Sequence, residues 1–102
     1  MRFAHQKDGN HADVVRCLEA HGCFVLDVSD HRKIGVDLIV FRRGGVCAVE
    51  VKDGSKPPSA RELTPSEVRF RDRCRANGFP WALVETTEQA RELAHKLVGE
   101  KV

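Results

Sequence analysis

The amino-acid sequence predicts a single α/β domain over residues 1–102, with a mixed central sheet and the element order α-β-β-β-α-β-α. Two runs rich in β-branched residues, 36–42 and 46–52, flank a Gly-Gly pair, which is typical of a hairpin. The segment 64–67 has the pattern of a helix start, and apolar residues recur at helical spacing near both ends of the chain. A chain of 102 residues is long enough for one hydrophobic core.

The first predicted helix runs from about residue 11 to residue 21. Asn10 is a suitable N-cap and Gly22 a suitable stop. Val14, Val15 and Leu18 form its apolar stripe. The first strand follows at residues 23–28, and a polar turn at 29–34 leads into the hairpin.

The hairpin has two chemically different faces. If Gly44 and Gly45 form a two-residue turn, Arg43 lies opposite Val46 and Asp37 lies opposite Lys52. Strand side chains alternate between faces, so one face is wholly apolar and the other carries three charges. The apolar face holds Leu38, Val40, Val49 and Val51, and the charged face holds Asp37, Glu50 and Lys52. Charges on a buried strand require pairing or a metal, so this face needs an explanation.

The second half of the chain continues the alternation of helices and strands. Residues 55–62 contain Pro57-Pro58 and are predicted as a loop. Thr64 caps a second helix that extends to about Asn77, with proline at its first position and Glu67 completing a capping box. A fourth strand at 81–85 precedes a third helix that begins at Thr86 or Thr87.

Composition favours an intracellular protein without a membrane segment. The sequence has no apolar run of transmembrane length and no signal peptide at its N-terminus. Its four cysteines form no CxxC pair, so we expect reduced, buried thiols. The net charge is only +2, but residues 32–75 hold eleven basic and six acidic residues. This local excess can attract a polyanion, although a charge run is more often a solvated helix face.

The charged hairpin and the capped helix together resemble the PD-(D/E)xK nuclease superfamily, and within it the virus-type replication-repair nuclease (VRR-NUC) group of phages and prophages. Asp37 stands where that motif has its aspartate, and Glu50-Val51-Lys52 stands where it has Glu-x-Lys. Leu63-Thr64-Pro65-Ser66-Glu67 is similar to the group's Leu-Thr-Pro-x-Gln helix start. The resemblance implies a restriction-endonuclease-like αβββαβ core with a mixed central sheet and an extra C-terminal helix.

The sequence departs from the group's pattern at two positions. Val36 replaces the proline that usually precedes the aspartate, and it carries no chemistry. Glu67 replaces the usual glutamine. An ionised carboxylate cannot donate a hydrogen bond, so a phosphate contact by Glu67 is not expected.

The resemblance implies a Mg²⁺-dependent deoxyribonuclease, with Mn²⁺ as a substitute, whose catalytic residues are Asp37, Glu50 and Lys52. Asp37 and Glu50 would hold the metal, because Mg²⁺ prefers oxygen ligands and takes one or two protein carboxylates. The resemblance adds the backbone carbonyl of Val51 and an acidic residue on the first helix, for which Asp13 is the first candidate and Glu19 the second. Asp13 is equally explained by the helix dipole.

Lys52 shares a face with both carboxylates, which would raise its pKa. We therefore favour positioning and charge stabilisation over a general-base role for this lysine. Lys56, Arg61 and Arg69 flank the charged face in sequence and are the candidates for phosphate contacts. The simpler alternative is an exposed pair of Lys52 with Asp37, next to a solvated Glu50, which would contribute at most about 1 kcal/mol.

Two functions follow from this pattern. The first is a DNA endonuclease that hydrolyses phosphodiester bonds, structure-selective for branched or nicked DNA, in phage or prophage replication and repair. The second is a catalytically weak or inactive module for nucleic-acid binding or assembly on the same fold. Because so small a domain offers little surface for duplex DNA, we expect a homodimer or higher oligomer. We expect it in the cytoplasm of a bacterial or phage-infected host cell.

Overall fold

The computed structural model describes residues 8–99 and has the predicted order of elements. The helices and strands are α1 (His11–Ala20), β1 (Phe24–Asp27), β2 (Leu38–Arg42), β3 (Gly45–Val51), α2 (Pro65–Ala76), β4 (Trp81–Val84) and α3 (Thr87–Lys96). The predicted loop after β3 contains a short 3₁₀ helix, Pro58–Arg61. None of the helices within residues 8–99 is long and apolar enough to cross a membrane.

The four strands form one mixed sheet in the order β1-β2-β3-β4. The first three strands are antiparallel neighbours, and β4 runs parallel to β3. Helices α1 and α3 cover one face of the sheet, where Leu18 and Ala94 pack on the apolar face of the hairpin. Helix α2 covers part of the other face through Phe70 and Cys74. The result is a three-layer restriction-endonuclease-like fold, as predicted.

The hairpin turn differs from the prediction. Arg42 pairs with Gly45, so the two turn residues are Arg43 and Gly44 rather than Gly44 and Gly45. Both have positive φ, 49° and 82°, as the tight hairpin turn requires. Gly45 is small for a different reason, because a Cβ there would lie 2.8 Å from the backbone carbon of Val98.

The predicted register is therefore wrong by two residues. Ile39 pairs with Ala48 instead of Glu50, and Leu38 pairs with Val49. Continued by one residue, this register brings Asp37 level with Glu50 instead of Lys52. A shift of two preserves the alternation of side chains, so the predicted division of the hairpin into two faces is correct.

The start of α1 has a different role from the one predicted. Asn10 precedes the helix, but its side chain makes no capping hydrogen bond. Its Nδ2 instead donates to the carbonyl oxygens of Lys52, at 3.1 Å, and Glu85, at 2.9 Å. The residue thus joins the beginning of α1 to the carboxyl ends of β3 and β4.

The predicted capping box of α2 is present, with Thr64 Oγ1 accepting from the Glu67 amide. Thr86 caps α3 by accepting from the Gln89 amide. All four cysteines are free thiols, and only Cys17 is not buried.

Candidate active site

The three charged residues of the hairpin meet where β2 begins and β3 ends. Asp37 directly precedes β2, Glu50 lies in β3 and Lys52 directly follows it. Asp37 Oδ2 accepts a hydrogen bond of 2.9 Å from the Val51 amide, so this carboxylate is anchored on the neighbouring strand. The Lys52 amide donates to the carbonyl of Val84 at 3.0 Å, which extends the contact between β3 and β4.

Glu50 is the most deeply buried member of the set, with 2% of its surface exposed. Its Oε2 lies 3.7 Å from Lys52 Nζ, and its Oε1 has no hydrogen-bond partner among the described residues. Burial, followed by the negative charges of Asp37 and Glu67, raises the pKa of Glu50 to about 10. A nearby cation would oppose all three effects, because each of them disfavours the ionised carboxyl group.

Lys52 is held mainly by Glu67, a residue that we did not predict in the site. Lys52 Nζ lies 3.0 Å from Glu67 Oε1, and the two side chains are 10% and 17% exposed. The same oxygen accepts 2.8 Å from the Thr64 amide, which fixes the carboxylate at the start of α2. The sequence does contain the signal, since the capping box places Glu67 at a defined position on the helix that follows the hairpin.

The pKa values of Lys52 and Glu67 are consistent with an ion pair. Burial acts to lower the pKa of Lys52, but the hydrogen bond and the charge of Glu67 outweigh burial and raise it overall. Burial acts to raise the pKa of Glu67, and its hydrogen bonds from Thr64 and Lys52 outweigh that effect and lower it. Both groups therefore stay charged at neutral pH.

The simpler alternative of an exposed Lys52–Asp37 pair is wrong. Lys52 is only 8% exposed, and its carboxylate neighbours are Glu67 and Glu50. Glu50 is likewise buried instead of solvated.

Asp37 and Glu50 have the chemistry to hold a divalent cation. Within residues 8–99 there is no cluster of three or more His, Cys, Asp or Glu side chains arranged for a metal ion. Mg²⁺ needs only one or two protein carboxylates beside water and substrate oxygens. The buried Glu50 Oε1 without a hydrogen-bond partner is the observation that fits a cation here.

Asp13 is not brought to this pair of carboxylates. Its side chain is 58% exposed and forms an ion pair with Arg16, one turn further along α1. The helix-dipole explanation is sufficient for its position in the first turn.

The predicted phosphate contacts have different outcomes. Lys56 and Arg69 are exposed and have no ion-pair partner in the part of the chain that the structure describes. Arg61 is already engaged, because its Nη1 lies 2.8 Å from Glu85 Oε2 and its Nε donates 2.7 Å to the Lys56 carbonyl. These contacts indicate that Arg61 stabilises the loop after β3, and its side chain is not free to bind a phosphate.

Known proteins were compared by sequence and by structure. No family model matches the sequence, and no curated protein matches it. A solved structure named as a VRR_NUC domain is similar to it, with 28% identity, a TM-score of 0.60, and coverage of 83% of this chain and 94% of that one. This chain is therefore similar to a VRR-NUC domain in both sequence and fold.

The resemblance inferred from the hairpin and the capped helix is therefore confirmed. The similarity covers 94% of the other domain, so it extends over that domain's fold and is not limited to one motif. The candidate site of this chain combines Asp37, Glu50 and Lys52 with Glu67. The pairing of Glu67 with the lysine places a fourth charged group beside the hairpin.

Proposed function

We propose that this protein is a metal-dependent DNA endonuclease that hydrolyses phosphodiester bonds. One observation carries the proposal. Glu50, with an unpartnered buried oxygen, is grouped with Asp37 and with a lysine ammonium in a protein similar to a VRR_NUC domain. A purely structural buried carboxyl group would be expected to have a hydrogen bond for each of its oxygens.

In this proposal Asp37, Glu50 and the carbonyl of Val51 would hold Mg²⁺, for which Mn²⁺ would substitute. When bound, the metal would activate a water molecule and neutralise charge on the phosphate. Lys52 contributes a fixed positive charge that stabilises the additional negative charge of the phosphate in the transition state. We favour this role over that of a general base, because Glu67 raises the pKa of the lysine amine and so keeps it protonated.

The substrate that we propose is DNA with branches or nicks, in phage or prophage replication and repair. The cluster of basic residues between positions 32 and 75 supports a polyanionic partner.

We also propose a homodimer in the cytoplasm. The outer edge of β1 is unpaired among the described residues, and Phe24 and Leu26 on it are 64% and 45% exposed. An open apolar strand edge favours pairing with a second copy.

Cleavage of a DNA panel tests the activity. Supercoiled, nicked, branched and single-stranded DNA are incubated with the protein and Mg²⁺ or Mn²⁺, beside the variants Glu50→Gln and Lys52→Ala. We expect cleavage by the wild type and its loss in both variants, with Arg91→Gln, an exposed change on α3, remaining active. The proposal would be overturned if the two site variants cleaved DNA as well as the wild type, or if the wild type cleaved none of the substrates.

A second candidate is a nucleic-acid-binding or assembly module with a weak or inactive site. Glu67 favours it, because the carboxylate at the position of the usual glutamine already occupies the lysine ammonium. Metal-dependent unfolding separates the two functions. A working site gains about 1.4 kcal/mol of stability at a tenfold excess of metal over its Kd. No gain with Mg²⁺, Mn²⁺ or Ca²⁺ would favour the module.

A further inference from the structure

We propose that the groove between residues 31–34 and α2 binds the phosphodiester backbone of the substrate strand beside the bond that is cut. The inference rests on the proposed nuclease function and extends it to a second phosphate-binding region. We call this region the α2 groove. It is lined by Arg32, Lys33, Ile34, Ser66, Arg69, Phe70 and Arg73, with the acids Glu67 and Asp72.

The α2 groove is continuous with the candidate active site. Two cavities of about 460 and 400 Å³ adjoin along it and share Lys33, Ser66 and Arg69 in their walls. The smaller cavity is also lined by Glu67, whose Oε1 contacts Lys52. A strand that lies in the groove would therefore pass next to the lysine of the site.

The charge of the groove suits a phosphate chain. Arg32, Lys33, Arg69 and Arg73 are exposed, and none has an ion-pair partner within residues 8–99. Of the two acids in its walls, Glu67 is paired with Lys52. Asp72 is paired with Arg71, whose Nη2 lies 3.1 Å away. Four unpaired cations along a groove form an electrostatic path for a polyanion.

Two large apolar side chains also line the groove. Ile34 is 43% exposed, although large aliphatic side chains are usually buried, and Phe70 is half-buried beside it. Basic groups beside an aromatic and an aliphatic side chain match the two parts of a nucleotide, the phosphate and the sugar or base. A small anion such as free phosphate would make no use of this apolar surface.

The wall that contains residues 32–34 is held against α2 by a turn and by a close glycine contact. Ile34 N donates 3.0 Å to the carbonyl of His31, which closes the turn. Gly35 then lies so close to α2 that a Cβ on it would be 2.4 Å from the carbonyl oxygen of Ser66.

Salt-dependent binding tests the inference. The protein is titrated into fluorescently labelled single-stranded DNA in Ca²⁺, and the anisotropy is followed at several salt concentrations. For a single strand, the slope of log K against log salt is about −0.7 for each phosphate contact. We expect the variant Arg32→Gln/Lys33→Gln to reduce the slope by about 1.4, and Arg69→Gln to reduce it by about 0.7.

Arg91→Gln is the matched control, because Arg91 is an exposed arginine on α3, across the sheet from the groove. Its slope should equal that of the wild type. If the groove variants behave like this control, or if the wild type binds no DNA, the inference is overturned. Glu50→Gln keeps the two proposals apart, because it should bind DNA with the wild-type salt slope but should not cleave it. If the groove variants lose slope and no form of the protein cleaves DNA, phosphate binding in the groove is supported and the nuclease function is rejected.

Discussion

The bond between Lys52 and Glu67 should be one of the strongest single polar interactions in the domain, and a double-mutant cycle measures it. Its length is 3.0 Å, and its side chains are only 10% and 17% exposed, so solvent screens it little. Hydrogen bonds to charged groups contribute about 1.5–3 kcal/mol. We therefore expect Lys52→Met, Glu67→Gln and the double variant to give a coupling energy of about 2 kcal/mol, from urea unfolding without metal.

The chain contains a matched control for this measurement. Arg71 and Asp72 form an ion pair of similar length, 3.1 Å, but their side chains are 26% and 59% exposed. An exposed pair couples by less than about 1 kcal/mol. If the coupling of Lys52 to Glu67 is no larger than that of Arg71 to Asp72, burial does not strengthen the bond as we reason.

Three further predictions concern other parts of the fold. Asp27, whose pKa is lowered to about 2 because hydrogen bonds from Ser29 and His11 outweigh burial, stabilises the fold above pH ~4 and loses that effect by pH ~2. Asp27→Asn should remove about 1 kcal/mol of this pH-dependent stability, allowing for a side chain that is 37% exposed. Unchanged acid unfolding would contradict this prediction. Gly35→Ala should destabilise the domain by several kcal/mol in thermal unfolding, since its φ is +87° and a Cβ would lie 2.4 Å from the carbonyl oxygen of Ser66. A melting temperature equal to the wild type would count against it. Leu26→Asp should yield a monomer in size-exclusion chromatography with light scattering, and an intact dimer would place the interface elsewhere.

The alternation of the hairpin was predictable because it depends only on the period of two along a strand. Its register depended on whether Gly45 belongs to the turn, as predicted, or to β3, as the structure has it. Gly45 is small because residues near the C-terminus pack on it, which is a contact between distant parts of the chain. A local turn rule could not distinguish these two reasons for glycine. The error was harmless to the site because it moved the pairing by two residues.

Long-range contacts also account for the other differences. Asn10 is a residue type that is preferred at N-caps, but its side chain donates instead to backbone carbonyls at the ends of two strands. Arg61 looks available in the sequence, yet Glu85, 24 positions away, pairs with it. Glu67 was predicted as a capping residue, which is correct, but its second contact with Lys52 depends on how α2 packs on the sheet. Local patterns predicted the elements, whereas the tertiary packing decided the partners.

The double hydrogen bond of Asn10 has a consequence for the order in which the protein matures. It joins residue 10 to the backbone of residue 52, 42 positions later, and to that of residue 85, 75 positions later. The carbonyl of Lys52 is thus held in place only when α1, β3 and β4 have come together. A chain still emerging from the ribosome lacks β4 until residue 84 has been made. A nascent chain, or one truncated before β4, therefore lacks this link between α1 and the two strand ends.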